Sequence, residues 1–184
     1  DETVPMETLR GMVHGSTSGI QRWAIERWIR NKDISDIVKL VHRFRPRDVV
    51  EQQRKIAEAD GLAIIAPVWF VGFPAILKGW IERVFTYGFA YHLTAEGWNG
   101  EIGGRIPLFK QEKALIISTT LFNERAYHAG LGDAMKRLID DFGFRYPGIK
   151  KVEHVYFYSV GAVEAAVRQD YLQQAFCLGK EFAL

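Results

Sequence analysis

The stretch "GLAIIAPVWFVGFPAILKGWIERVF" (61–85) decides the fold, because an apolar run of strand character passes through a loop of flat rings into an amphipathic helical pattern. The run "GLAIIAPVW" (61–69) is short and rich in branched and aromatic residues, as a strand buried on both faces of a parallel sheet must be. Pro67 cannot continue a ladder, and Pro74 presets the φ of a helix's first turn, so the two prolines bracket a turn. From Pro67 to Phe85 the chain carries two tryptophans and three phenylalanines. Periodicity leaves two uses open for Trp69, Phe70 and Phe73: packing in the core, or one wall of a flat ligand's site.

Working outward, "KALIISTTL" (113–121) and "VEHVYFYSV" (152–160) read as further buried strands. Helical patterns fall between and after them: "RDVVEQQRKIAEAD" (47–60), "FPAILKGWIERVF" (73–85), "ERAYHAGLGDAMKRLIDDFGF" (124–144) and "AVEAAVRQDYLQQAFCLGKEF" (162–182). Parallel strands need crossovers, so the expected architecture is an open α/β sheet with helices on both faces. Binding sites then lie beyond the carboxyl ends of the strands. The start of the chain departs from this scheme. "ETLRGMVHG" (7–15) places Arg10 and Gly11 where a central strand wants Val or Ile. A helical stripe in "STSGIQRWAIERWIRNKD" (16–33) and a strand in "DIVKLVHRF" (36–44) follow. No repeat, low-complexity segment or linker interrupts the 184 residues, so a single domain over 1–184 is expected.

Composition bounds the function. With 24 basic and 22 acidic residues the formal net charge is +2, too balanced to imply nucleic acid or an anionic membrane as partner. A lone cysteine, Cys177, rules out an internal disulfide framework and a multi-cysteine metal site, and fits a reducing, cytoplasmic location. No apolar run reaches the length of a spanning helix, and "DETVPMETLR" lacks the apolar core of a signal peptide. The five histidines are scattered, Ser118 and Ser159 sit in no nucleophile elbow, and no metal site is expected.

The run "PVWFVGFPAILKGWIERVFTYGFAY" (67–91) resembles the signature of the flavodoxin-like NAD(P)H:quinone oxidoreductases, the DT-diaphorase and modulator-of-drug-activity group. That resemblance implies a flavodoxin-like sheet of about five strands in the order 2-1-3-4-5, bearing a flavin, FAD or FMN. It places Pro67, Val68, Trp69, Phe70 and Val71 along the flavin ring. Trp69 and Phe70 then also border the nicotinamide and quinone pocket, with Phe122. Tyr91, in "FAY", is similar to a family tyrosine that reaches across a dimer interface, which implies a homodimer. "STTLFNERAYHAGLGD" (118–133) resembles a Thr-Thr-Gly-Gly loop, with Thr119 and Thr120 as the threonines and Tyr127 as the tyrosine that follows. Hydroxyl and amide donors there stabilise negative charge at the pyrimidine end of the flavin. Leu121 and Phe122 replace the two glycines, and Leu131 replaces a histidine, for which His128 is the stand-in beside Tyr127 in proton transfer. By spacing, Val160 and Arg168 align with a segment over an FAD adenine, where a guanidinium stacks on a purine or pairs with phosphate. A solvated helix arginine is an equal reading.

The phosphate end rests on "HGSTSGIQ" (14–21), whose Ser16, Thr17 and Ser18 either hold phosphate at a helix N-terminus or form an ordinary N-cap. The resemblance extends from about Val49 to the end, and residues 1–48 diverge from it. It implies an enzyme that passes hydride from NAD(P)H through flavin N5 to a quinone, the two substrates using one pocket in turn. Some relatives are ancillary subunits of potassium-efflux systems, so a non-catalytic or regulatory binding subunit is the alternative, and a simple electron carrier is a third.

Overall fold

The computed structural model describes residues 46–183. In chain order these form α1 (Arg47–Glu58), β1 (Gly61–Pro67), α2 (Ala75–Val84), β2 (Tyr91–Leu93), α3 (Ala95–Trp98), β3 (Arg105–Pro107) and β4 (Lys113–Thr119). A continuous helical region, α4, then runs through Glu124–Ala126, Tyr127–Leu131, Gly132–Met135 and Lys136–Arg145, followed by β5 (Lys151–Phe157) and α5 (Ala165–Ala183). The second and fourth stretches of α4 are π-helical, and Gly130, at φ 117°, kinks the first of these. A side chain at that φ would be strained, so glycine marks the bend.

Three strands pair in parallel in the order β1-β4-β5. The order matches the last three positions of the expected 2-1-3-4-5. The segments 7–15, 16–33 and 36–44 lie outside the described residues. Within β4, Ala114 through Ser118 are all buried, which is why this strand reads as an unbroken apolar run. Its side chains alternate between two layers. Ala114 and Ile116 join Ile56, Val84, Met135, Ile139 and Phe144 on the face covered by α1, α2 and α4. Leu115 and Ile117, with Phe157, face Tyr171, Ala175, Leu178 and Phe182 of α5. Helices on both faces of one parallel sheet are the doubly wound arrangement that the alternation of elements requires.

The hairpin β2–β3 was not legible in the sequence, since strands of three residues are too short to show alternation. It is antiparallel, with Tyr91 opposite Pro107 and Leu93 opposite Arg105. Its crossing is closed by glycines: a Cβ on Gly104 would stand 2.2 Å from the Gly97 nitrogen. Thr94 caps the short α3 between the strands, its Oγ1 accepting from Gly97 N–H at 3.3 Å.

Candidate functional site

The register of the sheet builds the site. Pro67 pairs with Thr119 and Thr119 with Phe157, so all three carboxyl ends finish at one level. The loops that follow are stitched together by main-chain bonds. Val68 N–H donates to Thr119 O at 2.8 Å, Thr120 N–H to Phe157 O at 2.9 Å, and Val160 N–H to Thr120 O at 3.1 Å. Ser159 N–H reaches Phe122 O at 3.0 Å. The rim is therefore one surface made of three loops.

The first loop is a tight turn, Trp69 and Gly72 exchanging bonds of 2.9 and 3.0 Å. Its two central residues, Phe70 and Val71, have φ of 47° and 61°, the left-handed region that glycine ordinarily fills. A β-branched Val71 in that conformation is strained, and such strain concentrates at sites where backbone direction matters. The turn leaves the N–H groups of Phe70 and Val71 without a hydrogen-bond partner among the described residues. It also lifts Trp69 to 65% exposure and Phe70 to full exposure. In the next loop Leu121 and Phe122 are exposed as well.

Each anticipated residue within the described range has a definite place. Pro67 ends β1, Val68 follows it with its N–H on Thr119 O, Val71 is exposed, and Thr119 ends β4. Thr120 is 2% exposed, and its Oγ1 accepts from Phe122 N–H at 3.2 Å, so its hydroxyl oxygen shapes the turn that replaces the glycine pair. Tyr127 is buried, with its ring against Tyr156 at 4.6 Å and Tyr158 at 5.1 Å, and its hydroxyl has no partner among the described residues. Neighbouring His128 points the other way, exposed and 3.5 Å from Glu124. The structure thus separates the two residues that the sequence set side by side. Tyr91 lies on the hairpin, packed edge-on against Tyr87 and Tyr146, and burial followed by the nearby Tyr146 raises its pKa. Arg168 is exposed on α5 and donates to the carbonyl of Val163, two residues before that helix. Ser16 and Ser18 fall outside the described residues.

One group of polar residues was missed. Ser118 Oγ lies 2.9 Å from His154 Nε2, and His154 Nδ1 lies 2.8 Å from Asp140 Oδ1 and 3.0 Å from Tyr156 Oη. Burial, and then the charge of Asp140, push the Tyr156 phenol well above its ordinary pKa. The available signal was the alternation "HVYFY" (154–158), which sets His154 and Tyr156 on one face of β5, with Tyr158 just past its end. The connectivity is that of a Ser-His-Asp relay, but Ser118 is 1% exposed within β4, where no substrate carbonyl can reach it.

No helix of the described residues is long and apolar enough to cross a membrane. Comparison with known proteins adds three likenesses. An uncharacterised NAD(P)H oxidoreductase of Haemophilus influenzae is 28% identical over 130 residues, covering 71% of this chain and 61% of the relative. NAD(P)H dehydrogenase (quinone) 1 of Cavia porcellus is 35% identical over 129 residues, covering 68% of this chain and 44% of the relative. The chain spans about half the length of these curated relatives. Among solved structures, an NAD(P)H:quinone oxidoreductase from Methanothermobacter marburgensis superposes with a TM-score of 0.67 at 21% identity, over 97% of this chain and 88% of that one, a likeness of fold. The sheet order, the rim at its carboxyl edge and a family model matching residues 22–176 agree: the chain belongs to the flavodoxin-like fold family.

Proposed function

We propose that the protein is an NAD(P)H:quinone oxidoreductase working with a bound flavin, FAD or FMN, at the rim formed by β1, β4 and β5. The observation that carries this reading is the strained Trp69–Gly72 turn, which presents two N–H groups without a partner among the described residues beside exposed aromatic faces. A planar heteroaromatic ring with acceptor atoms on its edge fits that combination, because the amides satisfy its edge while the rings shield its face. When bound, the flavin supplies the two-electron chemistry between NAD(P)H and the quinone.

The chain's own part is to bind, orient and exclude water. Pro67 to Val71 hold one edge of the ring, and Thr119 and Thr120 direct the β4 loop at the other. Trp69, Phe70 and Phe122 wall the pocket that the two substrates use in turn. Tyr91 completes it from the second subunit of a homodimer. Tyr127, buried, and His128, exposed beside Glu124, handle protons, and Arg168, Ser16 and Ser18 secure the adenine and phosphate parts of the cofactor.

The visible spectrum of the purified protein tests this. The expected protein is yellow, loses its colour on anaerobic addition of NADPH and regains it with a quinone. A colourless protein that neither FMN nor FAD reconstitutes refutes the reading. A yellow protein indifferent to NADPH points instead to a non-catalytic binding subunit.

A further inference from the structure

The Ser118, His154, Asp140 and Tyr156 group lies beneath the rim, and nothing in the proposed reaction uses it. The side chains of His154 and Asp140 are each only 3% exposed. A carboxylate so placed depends on its partner, since an unpaired buried charge is severely destabilising. Asp140 sits within the π-helical Lys136–Arg145 stretch of α4, and wide turns of this kind recur at functional positions. A cavity of about 340 Å³ joins the pair to solvent, passing the exposed His128, Asp133 and Lys136 on its way to Asp140 and His154.

Hydrogen-bond bookkeeping shows what this arrangement can register. With Asp140 ionised, His154 Nδ1–H donates to Oδ1, and the Tyr156 oxygen takes a second share of the same proton, because a protonated ring nitrogen cannot accept. Nε2 then accepts the Ser118 O–H. A second proton on Nε2 reverses that bond: Nε2–H donates to Ser118 Oγ, and the serine hydrogen must turn away. The protonation state of His154 is thereby written into the direction of a hydroxyl one residue before Thr119. It is also written into a positive charge stacked 4.1 Å from the Tyr156 ring, which in turn touches Tyr127.

Among the described residues the other charges around the pair are few. From α4, Arg145 is held by Asp141 at 2.6 Å and donates to Val152 O, while Asp133 and Lys136 face the outer cavity. His128 is paired with Glu124 at the mouth. From β4 the described contact is the Ser118 hydroxyl, and from β5 the Tyr156 phenol, with Tyr158 further along the cavity wall.

We propose that Asp140 and His154 form a proton-uptake site, filled from solvent through this cavity, which acts on the rim as a positioning pair through Ser118 and Tyr156. The step adds one solvent proton to Nε2 and transfers no electrons. Its effect on turnover rests on the flavin-dependent reading, but the uptake itself belongs to the chain alone.

The test is histidine ring NMR on the flavin-free protein over a pH series. The His154 signal, identified by its loss in His154→Gln, is expected to follow a one-proton curve. The amides of Thr119 and Tyr127 should trace the same curve in the wild type and stay flat in His154→Gln. A ring locked in one state, or rim amides that ignore its titration, overturns the proposal. Asp140→Asn provides a second variant, and a His154 curve unchanged by it also overturns the pairing. In flavin-loaded protein, kcat for quinone reduction should step by about tenfold with the same pH dependence at constant KM, as expected of a unit charge about 10 Å along the strand. A pH-independent kcat rejects the action on the rim. Failure to bind flavin refutes the function instead, and the titration still decides the pair.

Discussion

Ile116 in the middle of β4 and Phe70 three residues past the end of β1 are both large and apolar, yet one is wholly buried and the other wholly in solvent. Their surroundings explain the difference. Ile116 is flanked by paired strands and covered by helices, so its side chain adds burial to the fold, roughly 1.5–3 kcal/mol for a residue of this size. Phe70 follows a proline that ends its strand and occupies a left-handed turn that holds its ring away from the core. Apolar residues at the sheet's centre therefore stabilise the fold, whereas those at its carboxyl rim stay available to a ligand. The rim also carries a conformational cost that the core does not.

This contrast is open to attack by substitution. Phe144 is fully buried, edge-on to Phe73 and Phe85, so Phe144→Ala is expected to cost about 3–5 kcal/mol in urea unfolding. A loss below about 1 kcal/mol would mean that the face packed by α4 is not the core. The next effect is alkaline. Burial raises the pKa of Tyr156, Tyr91 and Tyr158, so their neutral forms are favoured in the folded state. That stability is complete below the unfolded phenol pKa of about 10 and is lost as pH rises through the higher folded values. Thermal unfolding should therefore fall steeply above about pH 10, and less steeply in Tyr156→Phe. At the rim the sign reverses. Val71→Gly relieves a left-handed β-branched residue worth about 1–2 kcal/mol and gives back about 0.4–1 in unfolded-chain entropy, a net gain of roughly 0.5–1 kcal/mol. Smallest in stability is Trp69→Ala, within about 0.5 kcal/mol. The same change should weaken flavin binding by about threefold to tenfold, measured by titration of the cofactor's absorbance. Equal loss of stability at Trp69 and Phe144 would erase the distinction between rim and core.

Much of the described fold was readable because its signals are local. The three sheet strands and the helices between them appear where apolar runs and helical stripes predicted, with ends displaced by a few residues. The expected strand "GLAIIAPVW" stops at Pro67: Val68 N–H still reaches Thr119 O, but Trp69 already pairs with Gly72 in the turn. The hairpin was invisible because three-residue strands carry no period, and its closure depends on Gly97 meeting Gly104. Within the site, the rings of the first loop were read from sequence. Their exposure was not, because spacing alone cannot tell a ring in the core from one at an edge. Tyr127 and His128 show the same limit. Adjacent in sequence, they diverge at the start of α4, where one side chain enters the core and the other meets Glu124.

By itself the sequence determined the order of the three sheet strands and of the long helices around them, the prolines that bound the first turn and the family resemblance carried by residues 67–91. Only the tertiary structure decided that Pro67, Thr119 and Phe157 end level, that Phe70 and Val71 turn left-handed, and that Ser118, His154 and Asp140 meet. The physical reason is range. Periodicity and turn chemistry act over a few neighbouring residues, whereas a bond between Ser118 and His154 spans 36 positions and exists only once β4 and β5 have paired and α4 has closed over them.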